Sequence, residues 1–161
     1  NLLSSIKSLS KVYKLPIIIS THPRTKKNLV KYKELKNDKM IRFFDPFCYT
    51  DYIKLQQSAF CVISDSGTIT EETSLLNLNS ITIRNAQERP EGMDSSVLIM
   101  SGLKESNILD SVKIITSQNN KKNRNKIVPD YEISHLVSEQ VCRIVMSYFD
   151  YVNKKVWFKL D

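Results

Sequence analysis

Three cysteines and two histidines are all that the 161 residues offer to a disulfide framework or a soft metal centre. Cys48, Cys61 and Cys142 are odd in number and share no ligand spacing, so buried or free thiols in a reducing cytoplasm are expected rather than disulfides. Without a Cys or His cluster no metal centre is expected, and nothing in the sequence asks for a cofactor. No apolar run reaches the ~18 residues of a membrane span, and no charged n-region with an apolar h-region opens the chain. The reading is a soluble, cytoplasmic protein without a membrane partner. A recognisable DNA- or RNA-binding motif is also lacking. The net charge of +7 comes largely from lysines scattered over Lys26-Lys27, Lys31 to Lys39, Lys121 to Lys126 and Lys154-Lys155, with no array of aromatics set among them, so a nucleic-acid partner is not expected.

What the chain has is an alternation of short apolar β-branched runs with helical periodicity. Strands are expected at Pro16–Ser20, Met40–Phe44, Phe60–Ser64, Ile81–Arg84 and Val97–Met100. Helices are expected at Leu2–Tyr13, Lys26–Leu35, Thr50–Gln57, Ile69–Asn77, Asn107–Ser117 and Ile133–Tyr151. That order argues an α/β fold, a parallel sheet covered by helices, and a length of 161 residues suits one domain with a sizeable core. Gln118 to Tyr131 reads as an exposed polar loop. The last helix aligns Leu136, Val137, Val141, Ile144, Val145 and Tyr148 on one face. Its aromatic continuation through Phe149, Tyr151, Trp157 and Phe158 suits either a surface awaiting a partner or closure of the domain's own core.

The densest chemistry lies at Ile63-Ser64-Asp65-Ser66-Gly67-Thr68-Ile69-Thr70-Glu71-Glu72. Phe60 to Ile63 reads as a buried strand that ends in a small polar turn, and a helix follows. Ser66, Gly67 and Thr68 then sit at a helix N-terminus, where unpaired N–H groups and the helix dipole favour an anion and Gly67 permits close approach. Thr68 and Glu71 also have capping-box spacing, which gives Glu71 a structural reading. Glu72 points about 100° away around the helix, where its carboxylate suits the paired hydroxyls of a ribose. A second cluster, Ile83-Arg84-Asn85-Ala86-Gln87-Glu88-Arg89-Pro90-Glu91-Gly92, follows another strand. Arg89 suits either a diphosphate clamp or a surface pair with Glu88 or Glu91. A third, His22-Pro23-Arg24, follows Ile17-Ile18-Ile19-Ser20. Ligands of such sheets lie at the carboxyl ends of the strands, where all three clusters fall.

The pair Ser64-Asp65-Ser66-Gly67-Thr68-Ile69-Thr70-Glu71-Glu72 and Glu88-Arg89-Pro90-Glu91, with the His22 loop, resembles the signature of the non-hydrolysing UDP-N-acetylglucosamine 2-epimerases. The resemblance runs to about residue 150. It implies a Rossmann-like three-layer domain, the C-terminal half of a glycosyltransferase-B-like fold, with residues 133–161 packing on an N-terminal domain that this chain lacks. It implies that Ser66, Gly67 and Thr68 hold the UDP diphosphate with Arg89, that Glu72 takes the ribose hydroxyls, and that Tyr52 lies against the uracil. His22 then faces the reacting sugar and diphosphate, with Arg24 beside it. Thr68 and Gln87 depart from the family's usual glycine and threonine; Thr68 either crowds the diphosphate or adds a donor to it. The combination of Ser-Gly-Thr-Ile-Thr-Glu-Glu with Glu-Arg-Pro-Glu-Gly-Met is most similar to the branch forming UDP-N-acetyl-L-fucosamine for surface polysaccharides.

The chemistry implied is loss of UDP and its re-addition after inversion at C2. That needs a positioned acid and base, and in the family these carboxylates lie in the N-terminal domain. The expectation is therefore a UDP-sugar-binding half, inactive alone and part of a homodimer in the whole enzyme. The alternatives are a non-catalytic UDP-sugar-binding module and the nucleotide domain of a glycosyltransferase, against which Glu88-Arg89-Pro90-Glu91 argues.

Overall fold

The computed structural model describes residues 2–21, 38–86, 89–118, 127–131 and 136–159. It divides into two units, residues 1–128 and 129–161. In the first, helix α1 (Leu2–Tyr13) leads to β1 (Ile17–Ser20), and β2 (Ile41–Phe44) follows. Then come α2 (Tyr49–Ser58), β3 (Val62–Ser64), α3 (Ile69–Leu76), β4 (Ser80–Thr82), the short α4 (Glu91–Asp94), β5 (Ile99–Met100) and α5 (Glu105–Gln118). The expected helix at Lys26–Leu35 lies outside the described residues.

Every described ladder is parallel. β1 pairs with β2 from Ile17↔Ile41 to Ser20↔Phe44. β3, β4 and β5 form a second sheet in that order, through Ile63↔Ile81 and Ile81↔Ile99. The single sheet expected from the sequence is thus two ladders, yet one core serves both. Leu9 of α1, Ile81 of β4, and Ile108, Val112 and Ile115 of α5 are buried together, with Ile17 of β1 and Cys61, Ile83 and Ile99 packed against them. The α5 positions 108, 112 and 115 recur at helical spacing, so one stripe faces the sheet while Lys113 and Ile114 stay exposed. The contact of α1 with α5 ends in a hydrogen bond from Ser8 Oγ to Glu105 Oε1, 2.6 Å.

β3 departs from the reading of a buried strand. Phe60, just before the strand, is 47% exposed and Ile63 37%; the apolar run reports β propensity, not burial. β4 is buried throughout. Arg84 and Ile83 fall just beyond it, although Ile83 N–H still donates to Ser64 O.

Small side chains let α3 sit deep. Thr70, Thr73 and Ser74 are buried; Thr73 Oγ1 donates back to Ile69 O and meets Ser80 Oγ, and Ser74 Oγ accepts from Val128 N–H at 2.9 Å. Gly92 of α4 abuts Thr70 and Leu98 so closely that any Cβ would collide with both. α4 is thereby held against α3, and the segment carrying Arg89 is brought to the N-terminal end of α3.

In the second unit, Pro129–Tyr131 form a 3-10 turn within what the sequence suggested was plain loop, and α6 (Val137–Tyr151) runs on into a π-helical turn, Val152–Val156. No residue of α6 is buried. Tyr148 and Tyr151 meet edge to face, with centroids 6.2 Å apart, and Lys159 Nζ sits 4.7 Å from the centre of the Trp157 ring. Among the described residues no helix is long and apolar enough to cross a membrane.

Candidate functional site

Ser66 N–H donates to Ser64 Oγ at 3.0 Å, which turns the chain sharply at the carboxyl end of β3. Thr68 then enters α3 in a right-handed helical conformation (φ −69°, ψ −8°) and makes no side-chain cap. The capping box read from the sequence is not formed. A capping side chain needs an extended backbone to aim its oxygen at the first-turn N–H groups, and Thr68 is already helical. Its hydroxyl instead donates to Glu72 Oε1, one turn on, at 2.9 Å. Since that proton is committed to the carboxylate, the 2.9 Å contact between Ser66 Oγ and Thr68 Oγ1 has Ser66 as donor. Thr68 therefore spends its hydroxyl on Glu72.

The other oxygen of Glu72 is held as well. Gln56 Nε2 of α2 donates to Glu72 Oε2 at 2.5 Å. Gln56 stands one turn after Tyr52 on the same helix face, and the half-buried Tyr52 phenol lies within electrostatic reach of Gln56, Ser64 and Glu72. Burial raises the Tyr52 phenol above its ordinary value, the Glu72 carboxylate raises it further, and the hydrogen bonds from Gln56 and Ser64 offset part of this. The phenol thus stays neutral at physiological pH. Tyr52 and Glu72, two residues singled out in the sequence, are brought together here.

Glu71 has a partner other than a backbone N–H. Arg89 Nε donates to its Oε1 at 2.9 Å, so the ion pair joins α3 to the segment before α4. This aims the rest of the guanidinium at the turn: a Cβ on Gly67 would collide with Arg89 Nη1, and Arg84 Nη1 would lie 3.8 Å from it. Two guanidinium groups thus close on the one residue of the turn without a side chain. Arg84, Gln56 and the Glu71–Arg89 link were missed in the sequence. Arg84 carried a signal, since it follows the strand of the second cluster; so did Gln56, at helical spacing from Tyr52.

Ser66, Gly67, Thr68, Glu72, Tyr52 and Arg89 therefore share one neighbourhood at the carboxyl end of β3. His22 and Arg24 lie outside the described residues, as does Gln87. An open polar cleft of about 470 Å³, lined by Ser4, Asn85, Ser101, Gly102, Lys104 and Glu105 among others, includes none of the expected site residues. No group of three or more His, Cys, Asp or Glu side chains among the described residues is arranged to hold a metal ion. The turn can accept an anion through N–H and guanidinium donors, and its flank can accept hydroxyl protons through a carboxylate.

Comparison with known proteins gives a consistent picture. The profile described as UDP-N-acetylglucosamine 2-epimerase matches residues 1–146. A UDP-N-acetylglucosamine 2-epimerase from Methanococcus maripaludis is 36% identical over 121 residues, 73% of this chain and 33% of the relative. One from Methanocaldococcus jannaschii is 32% identical over the same shares. The structure of UDP-N-acetylglucosamine 2-epimerase from Rickettsia bellii superposes with a TM-score of 0.78 at 55% identity, covering 98% of this chain and 43% of that one. The M. jannaschii enzyme solved with UDP-GlcNAc and UDP gives 0.75 at 29% identity, covering 90% and 39%. The chain spans about a third of the length of these curated relatives.

Proposed function

Because the chain belongs to the UDP-N-acetylglucosamine 2-epimerase family, we propose that it is the C-terminal, nucleotide-binding part of such an enzyme and seats the UDP of a UDP-2-acetamido sugar. The observation that carries this reading is the convergence of Arg84 and Arg89 on Gly67, at the N-terminal end of the helix that also bears Glu72. Donors gathered at a glycine suit a diphosphate, and a carboxylate one turn away suits a ribose.

In this reading Ser66, Gly67 and Arg89 hold the diphosphate, Thr68 supports Glu72, Glu72 accepts from the ribose hydroxyls, and Tyr52 lies beside the uracil. His22 and Arg24 face the sugar and stabilise the leaving UDP. The reaction of the whole enzyme is elimination of UDP and re-addition with inversion at C2. Its general acid and base are carboxylates of an N-terminal domain on which residues 133–161 pack, so the 161 residues bind without turning over. The assembly is a cytoplasmic homodimer, and the product belongs to the UDP-N-acetyl-L-fucosamine branch that supplies surface polysaccharides.

Calorimetric titration of the chain with UDP, with ADP as control, tests the reading; selective binding of UDP is expected. Glu72→Ala and Arg89→Ala should each weaken UDP binding by about 1–3 kcal/mol through lost charge-assisted hydrogen bonds. Wild-type titration curves from both variants would place the site elsewhere.

A further inference from the structure

We propose that Gln56 is the positioning residue that makes Glu72 a reader of a vicinal diol, and so sets selection of ribo- over 2′-deoxyribonucleotides. The proposal rests on the assignment of Glu72 to the ribose.

A carboxylate offers about four acceptor positions, two on each oxygen. Thr68 Oγ1 occupies one on Oε1, and Gln56 Nε2 one on Oε2. The two donors approach from different elements, Thr68 from α3 itself and Gln56 from α2. Together they fix the plane of the group and leave one position free on each oxygen. Two adjacent free positions match the two hydroxyl protons of a cis-diol. Without Gln56 the carboxylate is held at one oxygen only and rotates about its last bonds, so the second hydroxyl gains little from being present.

The packing of Gln56 argues that the amide serves this site and not the fold. The residue is 3% exposed, and its Oε1 is buried without a partner among the described residues. A buried carbonyl left unpaired lowers stability, so an apolar side chain of similar volume would serve the core at least as well.

The test compares UDP with 2′-deoxy-UDP on the 161-residue chain, for wild type, Gln56→Met and Gln56→Leu, by calorimetric titration alongside thermal unfolding. Wild type should prefer UDP by about tenfold or more, as expected for one lost hydrogen bond to a charged group. Both variants should lose most of that preference, chiefly through weaker UDP binding, while their unfolding temperature stays equal or rises. Variants that fold and keep the wild-type ratio overturn the proposal and leave the nucleotide site standing. An unfolding temperature lowered in step with the affinity for both ligands assigns Gln56 a structural role and overturns it too. A wild-type chain that binds neither nucleotide, or binds both equally, removes the assignment of Glu72 to ribose, and the proposal falls with it.

Discussion

Gly67 shows how much a single residue can decide. A methyl group there would meet the tip of the Arg89 side chain, which can swing away at little cost to the fold. Gly67→Ala should therefore leave the unfolding temperature within a few degrees of wild type, a change of ≲0.5 kcal/mol, while weakening UDP binding at least as much as Arg89→Ala. Equal loss of stability and affinity in a paired melt and titration would contradict this. Arg89 itself is oriented by Glu71. Their exposure, 36% and 33%, limits the pair's contribution to stability to about 0–1 kcal/mol, so its value is in direction. A double-mutant cycle on UDP affinity should show the effects of Glu71→Ala and Arg89→Ala to be strongly non-additive; additive losses would mean that Glu71 does not act through Arg89.

Cysteine chemistry separates along the same lines. Burial pushes the Cys61 thiol up to about 12, whereas Cys48 is exposed beside the Thr50 hydroxyl. Since the thiolate is the nucleophile, iodoacetamide at pH 8 should alkylate Cys48 in the native chain and spare Cys61 until the protein unfolds. Peptide mapping after brief labelling reads this directly, and early modification of Cys61 would show that its side of β3 opens.

At the scale of elements, much was legible because each strand is a short β-branched run and each helix keeps its 3.6-residue stripe. Leu2–Tyr13 was read to the residue, and the other described strands and helices of the first unit to within about two residues, except the short α4 (Glu91–Asp94), which the sequence did not suggest. The misreadings have physical causes. Phe60 to Ile63 looks buried because parallel strands are usually covered on both faces, but Phe60 and Ile63 are both exposed. The Thr68–Glu71 spacing suits a capping box, but the rule holds only when the first residue is extended, and that is a matter of backbone conformation no spacing reveals. Gln56 and Arg84 escaped notice because their importance lies in contacts across elements, Gln56 with a residue sixteen positions on and Arg84 with a glycine of the preceding β-α turn. Gly92 is the element-level counterpart of Gly67. Its Cβ would strike Thr70 and Leu98, neither of which can leave its packed position, so Gly92→Ala should destabilise by about 1–3 kcal/mol. A lowered denaturation midpoint with weaker UDP binding is the expected result, because α4 would be levered away from α3 and take Arg89 with it.

For the whole molecule, the division of labour within the proposed reaction follows from which groups this chain gathers. Around Gly67 it sets guanidinium and N–H donors, which suit a departing diphosphate, and beside Tyr52 a carboxylate already bound by Thr68 and Gln56. Two donors already occupy that carboxylate, which suits a hydrogen-bond acceptor and not a base that must take up a carbon-bound proton. Glu71 is likewise engaged, by Arg89. Glu71 and Glu72 are thus committed to holding, and in the proposed reaction proton transfer at C2 falls to residues other than these two. The chain incubated with UDP-GlcNAc in deuterium oxide should accordingly bind it and incorporate no deuterium at C2. Joined behind the N-terminal half of a family relative, it should exchange that hydrogen and give the C2 epimer, both read by proton NMR. Deuterium at C2 with the chain alone would mean that the acid and base lie within these 161 residues, and His22 would be the first residue to replace.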